Sequence, residues 1–79
     1  MDVLETVQAI MRKELGLTEA QVQADQQLVA IGVDSLTGFE LMFALEKAFD
    51  LQLPDTPEMP ETVAGVAELV RTALAEKSV

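Results

Sequence analysis

Apolar residues recur at steps of three and four in three separate stretches of the chain, a spacing typical of helices that bury one face. The first stretch predicts a helix over residues 3–15, with Asp2 as its N-terminal cap and Gly16 as its stop. The second predicts a helix over residues 35–50. The third helix follows Thr62, a capping residue. Its apolar stripe and flanking leucines are Val63, Val66, Val70, Ala73, Leu69 and Leu74.

The segments between these helices are less regular. Thr18 and Gln21 are spaced as a capping box for a single helical turn. The long loop over residues 17–33 also has apolar residues spaced as anchors to the core, namely Val22, Leu28 and Ile31. A cap, a proline and an acid follow one another at Thr56-Pro57-Glu58, which predicts a short helix there.

Since no stretch alternates as a strand does, the sequence predicts an all-α fold. We expect a small four-helix bundle, with three main helices, one short helix and a long loop between helices one and two. At 79 residues, the chain is expected to be one domain over residues 1–79.

The charge and composition narrow the classes of function. With 14 Asp and Glu against 5 Lys and Arg, the formal net charge is −9. Such a surface repels nucleic acid and anionic lipid, and it attracts enzymes with basic docking faces. Cysteine and histidine are both absent, which excludes disulfides and thiolate nucleophiles and removes the usual zinc ligands and general base. We therefore expect no metal site and no catalytic residue.

The N-terminus has no basic signal region, and no apolar run approaches the roughly 18 residues that span a bilayer. Together with the absence of cysteine, these features predict a cytoplasmic protein that does not insert into membranes, and we expect it to be a monomer.

The most informative segment is Gly32-Val33-Asp34-Ser35-Leu36, at the predicted start of the second helix. Here the sequence resembles the acyl carrier protein family, whose modification site reads Gly-x-Asp-Ser-Leu at the start of its second helix. Leu28 falls where the family has a loop leucine ahead of the motif. The resemblance continues through Phe39-Glu40-Leu41, Ala44-Leu45-Glu46, Phe49-Asp50, Leu53-Pro54-Asp55 and Thr62-Val63.

The resemblance implies a role for Ser35 and Asp34. A phosphopantetheinyl transferase would attach 4′-phosphopantetheine from coenzyme A to Ser35, with Asp34 as its acidic neighbour. The arm would carry acyl groups as thioesters to acyl-loading, condensing and modifying enzymes of fatty-acid, polyketide or related synthesis, and the carrier itself would catalyse nothing. Physically, free N–H groups at a helix N-terminus favour an anion such as a phosphodiester, and Gly32 permits a sharp turn into the helix. The alternative is that Asp34 and Ser35 are an ordinary pair of capping residues.

The second helix has two apolar faces. At about 100° per residue, one group falls on one arc and is expected to be core: Leu41, Met42, Leu45 and Phe49. The other apolar group, formed by Leu36, Phe39 and Phe43, lies beside Ser35 and is expected to be exposed. Exposed apolar residues with charged neighbours are typical of a docking surface. In the family this face binds partner enzymes. We define the partner-binding face as Leu36, Phe39, Glu40, Phe43, Glu46 and Lys47. The alternatives are that the first loop covers Phe39 and that the acids only confer solubility.

Two further features stay open. Gly38, on the core side, either lets another element pack closely or leaves space for an acyl chain between helices. Met11, Met42 and Met59 either line such a cavity or simply fill the core.

The chain departs from carriers of primary fatty-acid synthesis at several positions on the second helix. Thr37, Lys47 and Ala48 stand where acids are common, and Phe39 and Phe43 are bulkier than usual. These departures predict a carrier tuned to a particular partner set. The initial Met and short tails predict a discrete protein.

Two other functions remain possible at this point. An aminoacyl or peptidyl carrier of nonribosomal peptide synthesis would have the same arm with different cargo. An unmodified acidic adaptor would use the helical surface for binding alone.

Overall fold

The computed structural model describes residues 2–53 and 60–77. Its α-helices are α1 (Val3–Leu15), α2 (Ser35–Phe49) and α3 (Val63–Lys77), and a 3₁₀ helix spans Val29–Ile31. Within the described ranges there is no β-strand and no helix long and apolar enough to cross a membrane. The all-α prediction is confirmed, whereas the short helix predicted at residues 56–58 lies outside the described residues, as does Met59.

The helix ends follow the predicted capping signals. The Asp2 carboxylate accepts a hydrogen bond from the Leu4 N–H at 2.9 Å, and Gly16 ends α1 in the left-handed conformation, with φ +69°. The Thr62 hydroxyl accepts from the Gly65 N–H at 3.1 Å at the start of α3. Asp50 adopts φ 52° after the last residue of α2, so this helix ends one residue earlier than the sequence predicts.

One hydrophobic core joins the three helices, because α1 packs against both α2 and α3. The α2 residues predicted to be core are buried, namely Leu41, Met42, Leu45 and Phe49. Val7 and Met11 come from α1, and Val63, Val66, Ala67 and Val70 come from α3. Burying each of the larger apolar side chains of this core stabilises the fold by about 1.5–3 kcal/mol, so α2 is held firmly by one face.

The long first loop is pinned at several points. Thr18 and Gln21 form the predicted reciprocal capping box, with the Thr18 N–H donating to the Gln21 amide oxygen at 2.9 Å. The anchors Val22 and Leu28 are buried, and Ile31 packs partly buried against the core. These predictions are confirmed.

Two polar contacts of the loop have no simple sequence signal. The Gln8 amide of α1 donates to the Val22 carbonyl at 2.8 Å. The loop also pairs with the segment before α3, since the Leu28 N–H donates to the Glu61 carbonyl at 2.9 Å and the Val63 N–H donates to the Gln26 carbonyl at 3.1 Å. The loop is therefore fixed to both α1 and α3, which gives the residues just before Ser35 a defined position.

Candidate functional site

The approach to Ser35 is a tight reversal after the 3₁₀ helix. Gly32 has φ +85°, and its N–H donates to the Val29 carbonyl at 3.2 Å. A Cβ on Gly32 would meet no atom within 4 Å, so the left-handed backbone, not crowding, favours glycine here. Val33 then buries its side chain and donates its N–H to the Leu28 carbonyl at 2.9 Å.

Asp34 caps α2. Its carboxylate accepts the Thr37 N–H at 2.9 Å, and its carbonyl accepts the Gly38 N–H at 2.8 Å. Hydrogen bonds from the Thr37 backbone, then from the Thr37 hydroxyl, lower the pKa of Asp34 below its ordinary value, with the Leu36 N–H contributing less. The capping interpretation of Asp34 is therefore correct, and it is compatible with a further role beside Ser35.

The position of Asp34 changes the expected anion site. The sequence predicts free N–H groups at the start of α2, yet the Thr37 N–H is bonded to Asp34 and the Leu36 N–H also favours its ionised form. The helix N-terminus already faces one carboxylate, so it is a weaker site for a second anion than the sequence indicates.

Ser35, the first residue of α2, is exposed. Its hydroxyl has no hydrogen-bond partner among the residues that the structure describes, and the chain has no histidine to act as its base. The side chain that caps the helix belongs to Asp34. The Ser35 hydroxyl is therefore free to react without loss of a structural contact, and its activation has to come from another protein.

Ser35 is one of the residues that line an open groove of about 720 Å³. One side comes from the loop and the 3₁₀ helix, and the other from the segment before α3. We call it the Ser35 groove; its lining residues are Gln27, Leu28, Val29, Gly32, Val33, Asp34, Ser35, Pro60 and Glu61.

The apolar part of the partner-binding face is exposed, as predicted. Leu36, Phe39 and Phe43 expose 70%, 59% and 65% of their surface, so the first loop does not cover Phe39. The Lys47 ammonium lies 5.7 Å from the centre of the Phe43 ring, a cation–π contact that sets one positive charge within the face. Glu40 is exposed beside them.

Glu46 is placed differently from the other residues of this face. It is half-buried, and its carboxylate accepts the Leu53 N–H at 2.9 Å. Glu46 thus holds the connector after α2, a structural role that the sequence does not indicate. A contact between Glu46 and a partner stays a prediction.

The structure adds one exposed residue that the sequence analysis does not single out. Val29, in the 3₁₀ helix, exposes 85% of its surface. Val29 stands three positions before the motif glycine Gly32, and a 3₁₀ helix of three residues is too short to show a periodic signal. Three residues expected on the core side are buried: Gly38 and Met42 of α2, and Met11 of α1.

The pH dependence of the Asp34 cap can be measured. Because the pKa of Asp34 is lower in the folded protein, its contribution to stability is complete above the unfolded-state pKa and is lost as the pH falls through the folded-state pKa. Asn also caps helices, so Asp34→Asn should remain folded. In urea titrations, the stability advantage of the unsubstituted protein over Asp34→Asn should be constant near neutrality and shrink below about pH 4. An advantage that does not change with pH would contradict this assignment.

This small helical domain presents an unbonded serine at the start of a helix, beside a groove and an exposed apolar face. These features define a class of protein that carries a covalently attached arm. Residues 5–73 match the family described as "Phosphopantetheine attachment site". The chain is 35% identical over 72 residues to an "Acyl carrier protein" of Helicobacter pylori, covering 90% of both chains. A protein of the same name from Prochlorococcus marinus is 35% identical over 77 residues, which cover 96% of this chain and 94% of the relative.

The chain therefore belongs to the phosphopantetheine-attachment family, and it is an acyl carrier protein rather than an enzyme. The resemblance seen in the sequence is confirmed. Carriers of this family hold 4′-phosphopantetheine covalently, and that group supplies the thiol that forms thioesters. The described residues fit it, because an exposed serine hydroxyl has an adjoining groove with apolar and polar walls. They contain no cluster of side chains suited to a metal ion.

Proposed function

We propose that Ser35 is the attachment site of the 4′-phosphopantetheine arm, within a single carrier domain formed by residues 1–79. The observation that carries the proposal is the free, exposed Ser35 hydroxyl at the start of α2, held in place by the Asp34 cap and by the pinned loop. Asp34 acts as a positioning residue that fixes the first turn of the helix.

The modification is a phosphoryl transfer from coenzyme A. The Ser35 oxygen would attack the phosphorus that bears pantetheine, the phosphoanhydride bond would break, and adenosine 3′,5′-bisphosphate would leave. The serine proton would pass to a base of the phosphopantetheinyl transferase, since this chain has no histidine. The chain is then the substrate of this enzyme.

The partners would be the transferase and the acyl-loading, condensing and modifying enzymes that use the thioester. Their docking surfaces should be basic, because the carrier has a formal net charge of −9. They should also have an apolar recess for the exposed Leu36, Phe39 and Phe43 side chains. We further propose a cytoplasmic monomer, in keeping with the absence of cysteine.

The test is in vitro modification. The purified protein is incubated with coenzyme A, Mg²⁺ and a broad-specificity phosphopantetheinyl transferase, and its intact mass is measured. We expect the mass of one phosphopantetheine, located at Ser35 by peptide fragmentation. No added mass with several transferases, or mass located at another residue, would refute the attachment site.

An aminoacyl or peptidyl carrier is the second candidate, because the same site would accept the same arm. The loading enzyme decides between them. The modified protein is incubated separately with an acyl-transferring enzyme and with an amino-acid-activating enzyme. The mass of each product then distinguishes the two cargoes.

The partner-binding face gives a separate prediction. Phe43 is exposed, so Phe43→Ala should leave the urea midpoint of unfolding unchanged. If the face docks the transferase, the loss of a central aromatic should raise KM about tenfold with little change in kcat. Steady-state kinetics measure this, with Lys13→Ala on α1 as the control. Equal KM values for Phe43→Ala and the control would exclude Phe43 from docking of this enzyme.

A further inference from the structure

Two side chains near Ser35 have no role in holding the fold together. Val29 exposes 85% of its surface, more than Leu36, Phe39 or Phe43 of the partner-binding face. The Gln27 side chain is exposed and makes no hydrogen bond within the described part of the chain. Both line the Ser35 groove, so the groove offers an apolar contact and a free carboxamide on its loop side.

Backbone pairing joins the two segments that line the groove. The Leu28 N–H donates to the Glu61 carbonyl at 2.9 Å, and Gln27 forms a β-bridge with Thr62. These bonds fix the distance between the loop and the segment before α3, so the groove exists before anything occupies it. Pro60 and Glu61, from the segment before α3, also line the groove.

The chemistry of a pantetheine chain matches the chemistry of these lining residues. Starting from the phosphate, the chain has a methylene group, a carbon with two methyl groups, a carbon with a hydroxyl, then two amides, and finally the thiol. For the dimethyl carbon of a chain that leaves Ser35 along the groove, the lining offers the apolar Val29 and Pro60. For the amides, the lining offers the Gln27 carboxamide, which can both donate and accept.

We propose that the Ser35 groove is the resting site of the arm, with its dimethyl group against Val29 and its amides bonded to Gln27. This inference rests on the proposed attachment at Ser35. Tethering at the groove's own edge makes the arm the occupant that reaches it at the highest effective concentration.

The resting site leaves the other surfaces of the carrier unchanged. None of the lining residues belongs to the partner-binding face, so an arm in the groove leaves that face free for an enzyme. The core next to α2 is filled by fully buried side chains such as Leu41, Leu45 and Val66, and the groove offers contacts without displacing them. An enzyme that docks on α2 then has only to draw the arm out of an open site.

Nuclear magnetic resonance of the modified carrier tests the proposal. Protein labelled with ¹³C and ¹⁵N is modified from unlabelled coenzyme A, and one added phosphopantetheine is verified by intact mass. Isotope-filtered spectra should show contacts from the two methyl groups of the arm to the Val29 methyls, and the Gln27 side-chain amide signals should shift on modification. Val29→Ser, an exposed position, should stay folded and lose these contacts. Ala30→Ser, on the same 3₁₀ helix but outside the groove, should retain them.

The outcomes separate the two levels of the proposal. No added mass refutes the attachment itself, and the resting site with it. A modified protein with arm contacts to core methyls such as those of Leu45, or with shifts confined to residues 34–37, refutes the resting site alone. Equal loss of contacts in Val29→Ser and Ala30→Ser would also refute it, because the effect would not be specific to the groove.

Discussion

Ser35→Ala is expected to abolish phosphopantetheine attachment completely while leaving the fold intact. The hydroxyl is the only group at this position that could form the phosphodiester bond, so no residual modification is expected. The cap of α2 is the Asp34 carboxylate, and the Ser35 side chain makes no hydrogen bond within the described residues. The urea midpoint of Ser35→Ala should therefore equal that of the unsubstituted protein, and intact mass should show no addition.

Two matched variants sharpen this experiment. Ser78 is the only other serine of the chain, and Thr37 is the nearest following hydroxyl residue in the sequence. Ser78→Ala should be modified at the normal rate. Thr37→Ala should also be modified, although it loses the hydroxyl that helps to lower the pKa of Asp34. Full modification of Ser35→Ala would move the site elsewhere and refute the proposal.

The same variant separates a carrier from an adaptor. An adaptor would bind its partners through the surface of α2, and Ser35→Ala leaves that surface unchanged. A carrier with Ser35→Ala would still dock but would deliver no acyl group. Retention of binding together with loss of acyl transfer therefore supports the carrier, and retention of the complete biological activity would favour the adaptor.

The helices are predictable from the sequence because their signals are local. Asp2, Gly16 and Thr62 cap or end helices through contacts with residues two to four positions away, and these contacts are found in the structure. The two faces of α2 follow from helix periodicity alone. Ser35 is recognisable because its motif is continuous in the sequence and lies at such a helix start.

The features that the sequence does not reveal depend on distant residues. Nothing near Gln8 indicates that its amide reaches the Val22 carbonyl, fourteen residues away. The pairing of Leu28 with Glu61 likewise joins backbone groups, which carry no sequence signal. The Ser35 groove is built by this pairing, so neither the groove nor the exposure of Val29 can be predicted from local patterns.

Glu46 illustrates the limit of a helical wheel. Its position puts it near Phe39 and Phe43, which indicates a place on the partner-binding face. The chain turns after Asp50, however, and brings the Leu53 N–H within 2.9 Å of the Glu46 carboxylate. A wheel describes one helix and cannot show a connector that folds back on it.

The burial of α2 leads to the second large prediction, a matched pair of truncations on one helix. Leu45 is completely buried, whereas Leu36 exposes 70% of its surface. Leu45→Ala should lower the free energy of unfolding by about 3 kcal/mol, because it removes buried methyl groups and leaves a cavity. Leu36→Ala makes the same chemical change and should cost less than about 0.5 kcal/mol. Urea unfolding followed by circular dichroism measures both values.

The two truncations should impair modification by the transferase for different reasons. A small domain has only about 5–15 kcal/mol of stability in total, so Leu45→Ala should be partly unfolded and poorly modified at 37 °C, yet modified at lower temperature where it folds. Leu36→Ala should remain folded at both temperatures and should raise the KM of the transferase. Similar losses of stability in the two variants would mean that both faces of α2 are buried, and the exposed apolar side chains would then have to be explained as core rather than as a docking surface.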